Sequence, residues 1–393
     1  MQKFLHATDF QSLMYPCFTL CRILGTFPYT INDMIFETSR PQYILSVITT
    51  CVSCVFTLTI LYQLNIITKS TNFEAITSSL EIICSSVPCC FIIIVTLVSS
   101  SSRMRLLQTI KEISSRLSPK SYQKLSRLIH TKDIFGSLCM ICNVFLYVYK
   151  MMGFNIIFMI FSTHAVLLPF TMDMLYMNCV CILKACYKEI NNSLLYMQEF
   201  IINKKPPVTM MFYEQRNTFL IMKLKTLKKQ HLMISNTVQM LNRSFSLQLL
   251  ATIVTCFSGI IFGLYHYFHI VEWYNEILNL TEINEMMLIG TIYSIVKLLL
   301  LAWVCETGKN QAEEIRTTIH DVLNSNKDEQ IKHELQLFSL QILHSSTFFA
   351  KGLNIDAKYF ATMVGTVTTY MLILLQFMKI AHSCDGNSTI NKL

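Results

Sequence analysis

An all-α membrane protein is predicted, with seven transmembrane helices, a cytoplasmic N-terminus, an extracellular C-terminus and long cytoplasmic helical extensions. Three observations predict it. The 393 residues are 52% hydrophobic and only 14% charged, with a mean hydropathy of +0.44. Soluble domains carry about 25% charged residues, so this chain has too few charges to cover a water-exposed globule. Seven segments are nearly free of Asp, Glu, Lys and Arg over the roughly 20 residues that a helix needs to cross about 30 Å of hydrocarbon. Finally, 24 of the Lys and Arg residues lie on alternate connections. Disorder is excluded by the apolar content and by only 8 Pro and 10 Gly.

The first span is centred on Ile44 to Leu64, and the second runs from Ile82 to Ser102. The third, Ile134 to Tyr149, is short and borrows Lys150 by snorkelling. The fourth runs from Met151 into Ile182, interrupted by Asp173. The fifth is Ser244 to Val271, the sixth is Met286 to Cys305 with Lys297 inside it, and the seventh is Tyr359 to Met378. Eight basic residues follow span 2, ten follow span 4 and six follow span 6, against only Lys69 and Lys150 on the opposite connections. Positive charge stays in the cytoplasm, so the even-numbered spans exit inward. The net charge of +8 is therefore a topology signal, not a nucleic-acid signal.

The sequons Asn279-Leu280-Thr281 and Asn387-Ser388-Thr389 fall outside in this scheme and are candidate glycosylation sites. Two further matches, at Asn191 and Asn242, fall inside, so the sequons support the charge argument weakly. Met1 to Tyr29 has no sustained apolar run before Pro16, so no secretory signal is expected. Tyr15 to Phe27 reads as a short interfacial helix ending near Pro28. Phe212 to Val238 reads as a charged amphipathic helix leading into span 5. Glu314 to Leu323 and Glu329 to Leu343 are two more, separated by Asn324-Ser325-Asn326. Such helices form either a base joining subunits or ordinary connections on the membrane face.

Most of the 15 Cys sit in apolar runs and read as small buried hydrophobes. Cys51-x-x-Cys54 and Cys139-x-x-Cys142 have zinc-like spacing but lack nearby His or Cys partners, so neither a metal nor any other cofactor is expected. There is no Gly-rich phosphate loop, His-Glu-x-x-His or nucleophile elbow, and an enzyme is not expected.

Span 7 carries a stripe. Thr362, Thr366, Thr369 and Gln376 share one helical face, with Ile373 as its apolar member. The stripe reads either as packing glue between helices or as the lining of a water-filled path, and the frequency of small-polar interfaces in membranes favours glue. Thr369-Tyr370, five apolar residues and then Gln376-Phe377 resemble the seventh-span signature of insect gustatory receptors. Cys21 to Pro28 is similar to the segment that precedes their first span. The seven-span count, inside N-terminus and length match across the chain.

That resemblance implies a ligand-gated cation channel of taste neurons, assembled as a tetramer around a pore lined by seventh helices. It also implies an outward-opening pocket among spans 2 to 6 and cytoplasmic helices that anchor the subunits. Residues 1–40 are then the cytoplasmic segment, 41–305 the first six spans with the pocket, 306–356 the anchor helices, 357–380 the pore helix and 381–393 an extracellular tail. Gln376 and Phe377 fall at the constriction by motif. Lys379 near the exit opposes cation entry unless it splays or pairs with Asp385.

Pocket candidates at the outer ends of spans 3 to 6 are Tyr147, Phe158, Phe161, His164, Tyr265, His266, Tyr293, Ser294 and Lys297, with Tyr149, Tyr267 and Thr291 beside them. An ionisable residue inside a span marks function by default. Lys297 meets either a ligand acceptor or a buried partner such as Asp173, although counting along span 4 puts Asp173 deeper. The bland readings are belt anchoring for the aromatic residues and a hydrogen-bonded core role for His164. Trp273 and Trp303 are the only two Trp, and neither is well placed to stack a sugar in an outer pocket. The pocket therefore leans towards a lipophilic or bitter tastant. The partners implied are a small-molecule tastant, membrane lipid, and identical or related receptor subunits, with no nucleic acid. The location implied is the plasma membrane of chemosensory neurons. A G-protein-coupled receptor requires the opposite orientation, and glycan mapping at Asn279 separates the two. A transporter would show repeats and more broken helices than Pro88 and Pro169 provide. An odorant-receptor-like channel shares the architecture, but the Gln-Phe ending favours the gustatory branch.

Overall fold

The computed structural model describes residues 7–32, 35–67, 73–150, 156–203, 210–273, 281–326, 328–343 and 357–390. Among these the chain is almost wholly helical. Its first helix, α1 (Phe10–Ile23), starts where Asp9 accepts the Ser12 amide at 2.7 Å while Ser12 Oγ takes the Asp9 amide, a reciprocal cap. Its buried side chains Phe10, Leu13, Met14, Cys17, Phe18 and Cys21 recur every three or four residues. The helix stops at Gly25, whose φ of 72° is open to glycine at no cost. A Cβ there would also meet Thr49 Oγ1 at 3.2 Å.

A two-stranded hairpin follows, β1 (Tyr29–Asn32) pairing antiparallel with β2 (Ile35–Thr38). It carries Phe27 and Phe36 into an aromatic cluster with Phe10 and Phe18, where Phe18 and Phe27 stack at 4.5 Å. This corrects the expected interfacial helix. The helix begins five residues earlier than Tyr15 and ends before Phe27. Its buried face packs on the fourth span, and the hairpin behind it was not anticipated.

The spans are α2 (Arg40–Ile67), α3 (Phe73–Val98), α5 (Pro119–Lys150), α6 (Ile156–Asn203), α7 (Met210–Trp273), α8 (Thr281–Ser325) and α10 (Ala357–Ile390). Six of them hold apolar stretches long enough to cross a membrane, and α10 holds the shorter apolar stretch Thr362–Phe377. Span 2 does not continue to Ser102 as expected. It breaks at Ser99, and α4 (Ser100–Ser114) leaves it as a separate amphipathic helix. In contrast, α3 and α6 run through Pro88 and Pro169, which neighbouring helices make tolerable in a membrane bundle.

The core is α6. Of its apolar stretch 89% is buried, against 11% for α2. A helix that is apolar all round belongs at the centre. The other helices wrap it, with α1, α4, α5, α7 and α8 all packed on its faces. Several helices leave the membrane without a break. The 64 residues of α7 extend roughly 96 Å at 1.5 Å per residue, against about 30 Å of hydrocarbon. The expected cytoplasmic helix at Phe212 to Val238 is thus the lower part of span 5 itself.

α9 (Glu329–Leu343) docks on this lower part. It buries Ile331, Leu335, Phe338 and Ile342 on one face. Lys228 Nζ reaches Glu334 at 2.8 Å, with Lys225 at 3.6 Å. Gln341 Nε2 donates to the Lys228 carbonyl at 3.0 Å and lies 3.3 Å from His231 Nδ1. The His231 ring is 1% exposed, between Tyr187 of α6 and Phe338 of α9. Burial pushes its pKa down to about 4, and the Lys228 hydrogen bond lowers Glu334.

Both shifts have the same consequence. Undocked His231 takes up a proton near pH 6.5 that the docked ring refuses until about pH 4, and Glu334 loses its ion pair as it protonates. Docking of α9 is therefore strongest at neutral pH and is lost progressively as pH falls through that window. Hydrogen exchange of α9 amides is expected to accelerate about twentyfold between pH 7 and 5 beyond the intrinsic rate, about 1.8 kcal/mol. His231→Phe should flatten that profile, and an unaltered slope in the variant rejects the assignment to His231.

Candidate functional site

Two ionisable residues lie within the apolar stretches of spans 4 and 6, and the fold pairs them. Asp173 lies seventeen residues along α6 from Ile156, and Lys297 sixteen along α8 from Thr281, roughly 25 Å into each helix. Lys297 Nζ and Asp173 Oδ2 are 2.8 Å apart, with 11% and 2% of the side chains exposed. Counting span 4 from Met151 and span 6 from Met286 sets Asp173 deeper, whereas α6 begins at Ile156 and α8 at Thr281.

The pair is the centre of a buried polar chain. Asp173 also accepts from Gln248 Nε2 at 2.9 Å and from Thr252 Oγ1 at 3.0 and 3.1 Å. Gln248 Oε1 in turn accepts from Arg103 Nη2 at 2.7 Å. The Arg103 guanidinium lies 4.4 Å over the Phe245 ring. Its Nε and Nη1 have no partner among the described residues. Helices α4, α6, α7 and α8 are thereby joined through one carboxylate. Because the chain ends on Arg103, the first basic residue after span 2, Lys297 lies towards the basic end of the bundle and not at its outer mouth. Gln248 and Thr252 were not singled out in the sequence. Their spacing of four on a helix facing two intramembrane charges was the signal available.

Beside this chain is a void of about 10 Å³, room for one water at most. Gly136, Phe170, Asp173, Met174, Tyr293 and Lys297 line it. It is closed where α5 meets α6, since a Cβ on Gly136 would sit 2.1 Å from Met174 Cε.

The remaining pocket candidates disperse. Tyr265 is 2% exposed and belongs to the core. His266 Nε2 lies 2.8 Å from Glu81 Oε2 of α3, a partner absent from the sequence-based set. Ser294 donates to the Gly290 carbonyl at 3.1 Å and faces Gly259 of α7. His164 Nε2 lies 3.4 Å from the Leu24 carbonyl behind α1, and Phe161 packs on Phe56 at 5.4 Å. The structure therefore brings together Tyr293 and Lys297, and ties His266 to α3. It turns Phe161 and His164 towards α1 and α2. The side chains of Tyr147, Phe158 and Tyr149 lie outside the described residues, as do Asn279 and the side chains of Lys379, Asp385 and Asn387. Trp303 is exposed, with Lys184 Nζ 5.8 Å from its ring.

On α10, Met363 is buried, Val367 packs against the core and Tyr370 meets Phe257 of α7 edge-on at 6.3 Å. An adjoining face carries Thr362, Thr369, Ile373 and Gln376, all exposed, with Thr366 half-buried, and Phe377, also exposed, lies seven residues on from Tyr370. Thr366 and Thr369 donate back to the Thr362 and Gly365 carbonyls at 2.8 and 2.9 Å. Most of the stripe is therefore exposed within its own chain.

A seven-helix membrane bundle with an ion pair locked inside and its last helix presented outwards is the architecture of a multi-pass membrane protein. The chain belongs to the 7tm chemosensory receptor family, whose pattern matches residues 14–380. This is a receptor family and not an enzyme family. The chain is 31% identical to Drosophila melanogaster gustatory receptor 28b over 37% of its length and 32% of the relative's. It is 27% identical to gustatory receptor 28a of the same organism over 43% of the chain and 39% of the relative. It thus aligns with about a third of the length of the first of these curated relatives and about two fifths of the second. In fold it is similar to the insect olfactory receptor OR5 from Machilis hrabei, with a TM-score of 0.73 at 11% identity, covering 93% of this chain and 98% of that one.

Proposed function

We propose that this chemosensory receptor is a gustatory receptor, a tastant-gated, non-selective cation channel assembled as a tetramer in the plasma membrane of chemosensory neurons. The observation that carries this reading is the face of α10. A helix that turns Thr362, Thr369, Gln376 and Phe377 away from its own bundle needs something else against that face. Identical helices around a wet axis fit it. The threonine hydroxyls satisfied along the helix leave a polar but uncharged wall. Four Phe377 rings meeting on the axis close it by dewetting. Successive residues on a helix lie about 100° apart, so a modest rotation replaces the rings with Gln376 amides. No acidic ring lines the stripe, so selectivity among cations is loose. The sequence relatives favour the gustatory over the olfactory branch.

In this reading α9 and the lower parts of α7 and α8 form the intersubunit anchor, and residues 357–380 the pore segment. The tastant enters from outside above the Asp173–Lys297 pair, against Tyr293, Ser294 and His266, with Tyr147 and Phe158 on the facing helices. Phe161 and His164 brace the far side of α6, and Asn279 and Asn387 are the outward sequons. An aromatic, sparsely charged lining suits a lipophilic bitter compound. Expressed receptor challenged with a tastant panel, with cation current recorded, tests this. Bitter or lipophilic compounds are expected to activate it, and robust activation by sugars alone reverses the ligand assignment.

A further inference from the structure

A second cavity lies away from the tastant end. It has about 300 Å³ and lies between α4, α6 and α7, below the basic end of the bundle. That volume is at the lower limit of ligand pockets. Its floor is apolar, built by Ile113, Ile190, Leu227 and Ile234, all buried. Its rim carries Arg116 and Lys223, and neither has a carboxylate within ion-pairing distance among the described residues. The one acid at the rim, Glu189, accepts from Ser121 Oγ at 3.3 Å. Two unpaired cations over an apolar hollow complement an anion with a hydrocarbon body.

Depth decides the source. Leu227 is seventeen residues below Ser244 on unbroken helix, roughly 25 Å beneath the start of span 5. On α6 the rim residue Glu189 is only seven residues, roughly 10 Å, past Ile182, but the headgroup layer is about 5–8 Å thick on each side, so both helices set the rim below it and favour a soluble occupant over a lipid head. We propose that this cavity is a cytoplasmic binding site for a small soluble amphiphilic anion, its phosphomonoester or carboxylate head bridging Arg116 and Lys223. The site is independent of the tastant reading. The α7 face that it grips, Lys223 to Ile234, adjoins the face that holds α9 through Lys228 and His231. An occupant therefore braces the same helical segment as the anchor, which makes the cavity a place where cell metabolism adjusts the receptor.

The test uses the full chain in nanodiscs of uncharged lipid, with hexyl phosphate as the probe and thermal unfolding as the readout, because a ligand of the folded state raises its melting temperature saturably. Hexyl phosphate is expected to give that rise. The charge-neutral double variant Arg116→Gln/Lys223→Gln, altered only at exposed positions, should lose at least about tenfold in apparent affinity, the equivalent of one lost charge-assisted contact. Thr226→Phe fills the cavity from its exposed rim and should weaken hexyl phosphate without altering either cation. Hexanol and inorganic phosphate, each half of the ligand, should fail to saturate in the same range. The proposal is overturned if wild type and both variants respond alike, if inorganic phosphate matches hexyl phosphate, or if no saturable rise occurs. Displacement of hexyl phosphate by nanodiscs containing phosphatidylinositol phosphate overturns the soluble source.

Discussion

Phe377→Ala is expected to raise the current carried without tastant about tenfold or more. The ring is 54% exposed on the outward face of α10, so in a tetramer its burial comes only from its counterparts on the axis. Burying one Phe is worth about 1.5–3 kcal/mol, and 1.4 kcal/mol is a factor of ten in an equilibrium. Losing even one ring's share of closure therefore produces the effect. Whole-cell recording before any ligand is applied measures it. Gln376→Ala should instead reduce open-state conductance with little change in basal current. Basal current in Phe377→Ala equal to that of the wild type rejects this gate.

The second large effect concerns the buried pair. Lys297→Met leaves Asp173 ionised with 2% of its side chain exposed, and removing one partner of a buried pair costs about 3–5 kcal/mol. Folded receptor at the cell surface should fall by more than tenfold. Adding Asp173→Asn to that variant removes the stranded charge while its amide oxygen still accepts from Gln248 and Thr252. Surface expression should then recover substantially, since a neutral buried replacement is often tolerated. Surface labelling of the single and double variants measures both. A Lys297→Met receptor that reaches the surface normally but loses its tastant response makes Lys297 a ligand contact instead.

The membrane architecture was legible because it rests on one-dimensional signals. Apolar run length located all seven helices, and the partition of Lys and Arg marked one end of the bundle. What escaped the sequence was whatever depends on where a helix really starts. Counting span 4 from Met151 and span 6 from Met286 separates Asp173 from Lys297 in depth, whereas counting from Ile156 and Thr281 sets them level. Span 2 was carried past Ser99 because Ser100 to Ser102 are uncharged, although the chain bends there into α4. The helix α1 was read as interfacial because its apolar face is the same whether it meets lipid or protein, and only the packing on α6 distinguishes them. The stripe on α10 was legible as a face, but not which way that face turned. Residues such as Glu81 and Gln248 act through partners 185 and 145 positions away in the chain, and no local pattern announces them.

The Asp173–Lys297 pair also sets a problem of timing. A ribosome delivers Asp173 to the membrane 124 residues before Lys297 exists. At about 5–20 residues per second that interval is roughly 6–25 s, during which span 4 carries a lone carboxylate that lipid does not accept. Gln248 and Thr252 arrive earlier than Lys297 and offer the first hydrogen bonds. The most buried helix of the finished receptor is therefore the one whose buried charge gains its ionic partner last.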